Sequence, residues 1–324
     1  MRRRRSPIAL ALGLLAVAAA WTAPSAAQTW PQRPVKFIVP LGPGSGVDIG
    51  ARLFADRLGA RWGQPVVVEN RPGGDGIVAI NAFVGAHDDH TLLCTPTSSF
   101  TAHPYLHDNL PYKPGDLLPV ARISNTIIVL AVPAALKVQT LDELFRLVRE
   151  QPGKLNWAGV TGALDFLMAG YLSGAGLSMA KVPYRNPVEA LNDLAEGRVQ
   201  LYAAALAIMR PQVQAGRVRQ LAVTNSERAH AAPDIPTVTE AGYPGLAFDG
   251  LVGLFGLSDM RSEVRARIAA DVRAVGGDAE IAAQLDVTGQ ALNVGGPQEF
   301  AAATEAQRAK VAAMANELGI KPAQ

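Results

Sequence analysis

The chain has 324 residues, of which 49% are hydrophobic, 18% charged and 6% aromatic. That is material for a packed core of two domains, and it excludes a disordered tail or a fibre. Lys plus Arg number 30 against 28 Asp plus Glu, a formal balance of +2, but the location of those charges matters more than their sum. Four of the cations, Arg2 to Arg5, precede a nearly unbroken apolar run from Ile8 to Ala20 and small residues ending Ser25-Ala26-Ala27. Residues 1–27 therefore read as a secretory signal peptide, cleaved after Ala27. Its removal takes the basic excess with it and leaves a slightly acidic mature chain without a Lys/Arg cluster, so nucleic-acid binding is not expected. The apolar run is too short to span a bilayer, which needs roughly 20 residues. Cys94 is the single cysteine, which rules out an internal disulfide and, far from the cleavage site, a lipid-anchored N-terminus. A soluble periplasmic protein is expected.

In chain order, Val35 to Val39 reads as a strand, followed by a Gly/Pro stretch and a helix with Val47, Ala51, Phe54 and Leu58 on one face. Val66 to Val68 is a second strand. A turn over Arg71-Pro72-Gly73-Gly74-Asp75-Gly76, a helix to about Gly85 and a strand over Thr91 to Thr95 come next. Runs apolar on both faces imply a sheet covered by helices on both sides. One long apolar segment spans Arg122 to Val132. Helix starts are expected at the capping boxes Thr140 to Glu143 and Asn186 to Glu189, the latter with Pro187 at the first helical position, and a third at Thr237 to Glu240. Further strands are expected at 155–158, 179–182, 199–203 and 219–224. The tail from about Met260 reads as helical, with a break at Gly276-Gly277 and a last helix opened by Pro297. The pattern is a two-domain α/β chain: domain 1 from 28–129 plus 252–324, domain 2 from 130–251. The two crossovers, near 130 and 251, would act as hinges around a cleft.

The most informative stretch is Pro40-Leu41-Gly42-Pro43-Gly44-Ser45-Gly46-Val47-Asp48, between a strand and a helix. Its glycines allow close approach of a ligand, and the free N–H groups of a helix start favour an anion. The third glycine of a dinucleotide fingerprint would fall at Val47, and no GK[ST] follows, so neither a Rossmann nor a P-loop site is read. Ser45 or Asp48 is also suited to capping the first turn. Gly159 to Ala163 repeats the arrangement in the second half. Two helix starts facing one cleft could divide a carboxylated ligand between them. Thr97 and Ser98 add hydroxyl donors after a strand. Catalytic sets are poor: no Ser stands in a G-x-S-x-G elbow, Cys94 reads as a buried small hydrophobe, and His103-x3-His107, with Pro104 between, reads as a pair of solvated loop histidines rather than metal ligands. An exported hydrolase is the weaker alternative, for want of a nucleophile and base.

The first loop with Ala51-Arg52, then Val68-Glu69-Asn70-Arg71-Pro72-Gly73-Gly74, Val182-Pro183-Tyr184-Arg185, Leu194-Ala195-Glu196-Gly197-Arg198-Val199, Leu221-Ala222-Val223-Thr224 and Pro233-Asp234-Ile235-Pro236-Thr237-Val238 together resemble the Bug family. These are periplasmic receptors of tripartite tricarboxylate transporters. The resemblance implies a type II periplasmic-binding-protein fold, two Rossmann-like α/β domains joined by two crossover strands, and no catalysis, cofactor or metal. It implies a small organic carboxylate in the cleft of a monomer, delivered to membrane transporter subunits or read by a sensor kinase. The ligand residues it implies are Leu41, Gly44, Ser45, Gly46, Asp48, Thr97, Ser98, Thr161, Gly162, Ala163, Tyr184 and Ala204 within Ala203-Ala204-Ala205. The sequence departs from the family at Leu41, at Ser45, at those three alanines and at Leu251, where members often carry Trp. The departures predict a less polar distal pocket.

Overall fold

A computed structural model describes residues 30–159, 162–184 and 186–322. The expected signal peptide, Thr161 and Arg185 lie outside the described residues. The chain divides into an N-terminal unit, Met1–Gln32, of which only Trp30 to Gln32 are described, and a main body, Arg33–Gln324. The main body carries two sheets.

The first sheet begins with β1 (Val35–Val39), α1 (Gly46–Trp62), β2 (Val66–Asn70), α2 (Ile77–Val84) and β3 (Thr91–Pro96). The short helices α3 (Ser98–Thr101) and α4 (His103–Leu106) lead into β4 (Leu117–Thr126). The chain then builds the second sheet: β5 (Ile128–Pro133), α5 (Leu141–Glu150), β6 (Asn156–Gly159), α6 (Ala163–Gly174), β7 (Ala180–Lys181), α7 (Pro187–Ala195), β8 (Leu201–Ala205), α8 (Leu206–Gln214) and β9 (Val218–Val223). It returns through β10 (Gly250–Leu257), α9 (Ser262–Val275), α10 (Ala279–Val287), β11 (Gln290–Gly295) and α11 (Pro297–Glu317). The sheet orders are β11-β4-β10-β3-β1-β2 and β7-β6-β8-β5-β9. β1 is parallel to β2 and β3, with Phe37 opposite both Val68 and Leu92, whereas β10 runs antiparallel between β3 and β4.

Local sequence explains most of these elements. In α1 the expected stripe of Val47, Ala51, Phe54 and Leu58 is buried, and Gly63, at φ 64°, closes the helix. In α5 the Thr140 hydroxyl accepts from the Glu143 amide at 3.2 Å. The Glu143 carboxylate, however, takes the Gln139 N–H at 2.6 Å rather than that of Thr140. Asn186 caps α7 by accepting from Val188 N–H at 2.9 Å, with Pro187 leading the helix.

The crossover expected near 130 falls at Ile127, where β4 of the first sheet meets β5 of the second. Three expectations are corrected. The tail is not wholly helical, because 290–295 forms β11, an edge strand antiparallel to β4; only its end residues are buried, which leaves little apolar alternation to read. The Thr237/Glu240 box forms both reciprocal hydrogen bonds, 2.7 and 3.0 Å, but closes a turn, since Gly242 at φ 88° and Pro244 follow at once. His103 is not solvated. It is fully buried in α4, its ring bonded to the Tyr112 hydroxyl and, at 3.2 Å, to the Asp75 carbonyl.

The passages between the sheets are short and strapped. Ile127 donates its N–H to Gly289 and accepts from Leu206. Asn225 accepts from Ile128 N–H at 3.0 Å and donates to the Thr126 carbonyl at 3.0 Å. Phe248, approaching β10, exchanges two hydrogen bonds with Thr224. The C-terminal helix α11 joins both sides: Phe300 lies in the core of the first sheet, and Val311 and Ala315 lie in that of the second. No helix among the described residues is long and apolar enough to cross a membrane.

Candidate functional site

A cleft of about 740 Å³ lies between the two sheets, within the range of small-molecule sites. Its first wall is the loop that leads from β1 into α1. Ser45 is the N-cap, and its hydroxyl accepts from the Asp48 amide at 3.2 Å. That leaves the hydroxyl proton free to donate. The first backbone bond of the helix is Ile49 N–H to the Ser45 carbonyl, 2.9 Å. The amides of Gly46 and Val47 precede it, at the positive end of the helix dipole, and both residues line the cleft.

Asp48 builds this loop from behind. It is 2% exposed, does not line the cleft, and accepts from Gly44 N–H at 2.9 Å, Asn70 Nδ2 at 2.7 Å and Arg52 Nε at 3.1 Å. Asn70 also reaches the Leu41 carbonyl, 2.9 Å. Burial pushes the Asp48 carboxyl up, but the hydrogen bonds from Arg52, Asn70 and Gly44 outweigh it and hold the group below the ordinary carboxylate range.

The structure brings Leu41, Gly44, Ser45, Gly46, Ser98 and Gly162 together around the cleft. Gly162 has φ 90° and ψ −146°, and a Cβ there would meet the Ser98 carbonyl at 2.9 Å, so the two lips of the cleft touch at a position only glycine fits. Four other expected residues stand outside the lining. Thr97 is fully buried and its hydroxyl ties the Leu251 carbonyl to Gln307 of α11. Ala163 and Ala204 are fully buried, while Ala205 beside the latter lines the cleft. Tyr184 donates to Asp193 at 2.6 Å, and its hydroxyl is pushed up to about 12 by burial and by that carboxylate. Leu251 is also buried, in the core of the first sheet, so only Ala205 among the noted second-half departures reaches the ligand space.

Sequence reasoning missed Gln290, Thr126, Thr288, Ile128 and Phe248, all of which line the cleft. Gln290 Oε1 accepts from the Ser124 and Thr126 hydroxyls, each at 3.2 Å, and its Nε2 lies 3.0 Å from Thr126 Oγ1. A Cβ on Gly46 would meet Gln290 Nε2 at 2.8 Å, so β11 is packed directly against the start of α1. These contacts join positions 164 or more residues apart; no local motif announces them. Among the described residues no group of three or more His, Cys, Asp or Glu could hold a metal ion.

The model of the tripartite tricarboxylate transporter family receptor matches residues 50–320. A UPF0065 protein of Bordetella bronchiseptica is 30% identical over 318 residues, 97% of this chain and 95% of that one. BugT of Bordetella pertussis is 33% identical over 240 residues, 72% of this chain and 73% of BugT. Among solved structures, Rpa4515 of R. palustris, determined with adipate, is 29% identical with a TM-score of 0.78, covering 91% of this chain and all of that one.

Proposed function

Because the chain belongs to the tripartite tricarboxylate transporter receptor family, we propose that it captures a small organic carboxylate in the periplasm and delivers it to the membrane subunits of such a transporter. One observation carries the reading. The cleft between the sheets is lined by the start of α1, where two backbone amides precede the first helical hydrogen bond and Ser45 can add a third donor. Leu41, Gly44, Ser45, Gly46 and Ser98 take the carboxylate in this account, and Asp48 and Thr97 position them. Gly162 meets the ligand from the opposite lip. Ala163, Ala204 and Tyr184 shape that side from behind. The adipate bound to Rpa4515 supports a carboxylate ligand.

The two sheets act as domains, close to the expected division at 129/130 and 251/252, that close on the ligand about the strapped passages at Ile127 and Phe248. Residues 1–27 direct export to the periplasm and are cleaved after Ala27, and the protein binds its ligand as a monomer without chemistry. A thermal-shift screen of organic acids on the purified protein tests the proposal. A ligand at 100 times its Kd adds about 2.7 kcal/mol to stability, a clear rise in melting temperature. If no carboxylate raises it at saturating dose, the binding role is wrong.

A further inference from the structure

The walls of the cleft are chemically unequal. On the first side stand the hydroxyls of Ser45, Ser98 and Ser99 and the amides at the start of α1. The second side presents Leu164, Pro187, Ala205 and Ile208, with Ile128 and Phe248 from the passages between the sheets. Asp75 is the only charged side chain among the described lining residues, and it is an anion. We infer that the ligand is a monocarboxylate with an apolar or aromatic body, its single charge at the start of α1 and its body against the second wall. This rests on the carboxylate reading above and narrows it.

A second carboxylate at the far end would leave water for an apolar surface with no cation among its described residues, and an unpaired buried charge is strongly disfavoured. Two acids of the chain itself report the same asymmetry. Next to the start of α1, local donors hold Asp48 below its ordinary range despite burial. In the first turn of α6, Asp165 is paired with Lys181, yet burial dominates and raises its carboxyl. Negative charge is compensated at the first helix start and poorly solvated at the second, which already holds an acid of its own.

The test is calorimetric titration of the purified protein with matched pairs: hexanoate against adipate, and benzoate against terephthalate, with citrate as a third arm. The inference expects each monocarboxylate to bind at least tenfold more tightly than its dicarboxylate partner, and citrate to bind more weakly still. Substituting Ile208→Lys, in the first turn of α8, places a cation on the second wall and is expected to shift the hexanoate-to-adipate preference at least tenfold toward adipate; a melting curve checks that the variant is folded. Equal or tighter binding of the dicarboxylates by the unsubstituted protein overturns the inference and leaves the receptor role standing. Binding of none of the acids removes both.

Discussion

Asp48 carries a negative charge within the loop proposed to take an anion, and local compensation resolves the conflict. Three donors hold it as a carboxylate behind the loop, where it fixes Gly44 and, through Asn70, the Leu41 carbonyl. Asp48→Ala is expected to cost about 2 kcal/mol in urea unfolding, less than for a fully buried pair because Arg52 is half exposed, and to weaken carboxylate binding. Ser45→Pro removes the cap and the Ser45 N–H that bonds the Gly42 carbonyl; about 1 kcal/mol of stability and most of the affinity are expected to go. His103 gives a pH dependence. Burial, with His107 alongside, lowers it from 6.5 to about 4, although the Asp75 carbonyl and carboxylate favour its charged form. Between those values the unfolded chain binds a proton that the native chain refuses, so stability falls as pH drops through that window, by on the order of 3 kcal/mol. Unfolding of His103→Gln measured from pH 7.5 to 4 should show a flatter profile than the parent; an identical profile would contradict the assignment. The first loop was legible because its donors are contiguous in sequence. The burial of His103 was not, since Tyr112 and Asp75 reach it from separate turns.

At the scale of elements, β11 makes the difference between a helix start and a site. It lies at the edge of the first sheet, and Gln290 sets the face of α1 by filling the space that a side chain on Gly46 would need. Gln290→Met keeps the volume but leaves the Ser124 and Thr126 hydroxyls without their acceptor. A loss of about 1–2 kcal/mol is expected in denaturant unfolding, together with weaker ligand binding in calorimetry. The strands buried on both faces and the helices with a clear cap, α1, α5 and α7, follow from local sequence. β11 does not, because an edge strand with a half-buried middle carries no strict alternation. The point at which the chain changes sheet, Ile127, was not legible either, because it is made by backbone bonds to Gly289 and Leu206, which leave no mark on composition.

For the whole molecule, the proposed closure depends on how near the lips can come. Gly162→Ala places a methyl group against the Ser98 carbonyl in a backbone conformation that costs an L residue about 1–3 kcal/mol. Ligand affinity is expected to fall at least tenfold in calorimetry, beyond any change in melting temperature of the ligand-free protein. Without Arg2 to Arg5 the initial charge balance of +2 becomes −2, so in the proposed binding mode net charge plays no part in recognition. In the proposed binding mode local donors at the start of α1 do the recognising, and a crystal structure with an acid that raises the melting temperature tests that most directly. The account predicts a carboxylate oxygen within about 2.7–3.2 Å of the Gly46 and Val47 amide nitrogens. A carboxylate bound against the second wall, with no contact to those amides, would contradict it.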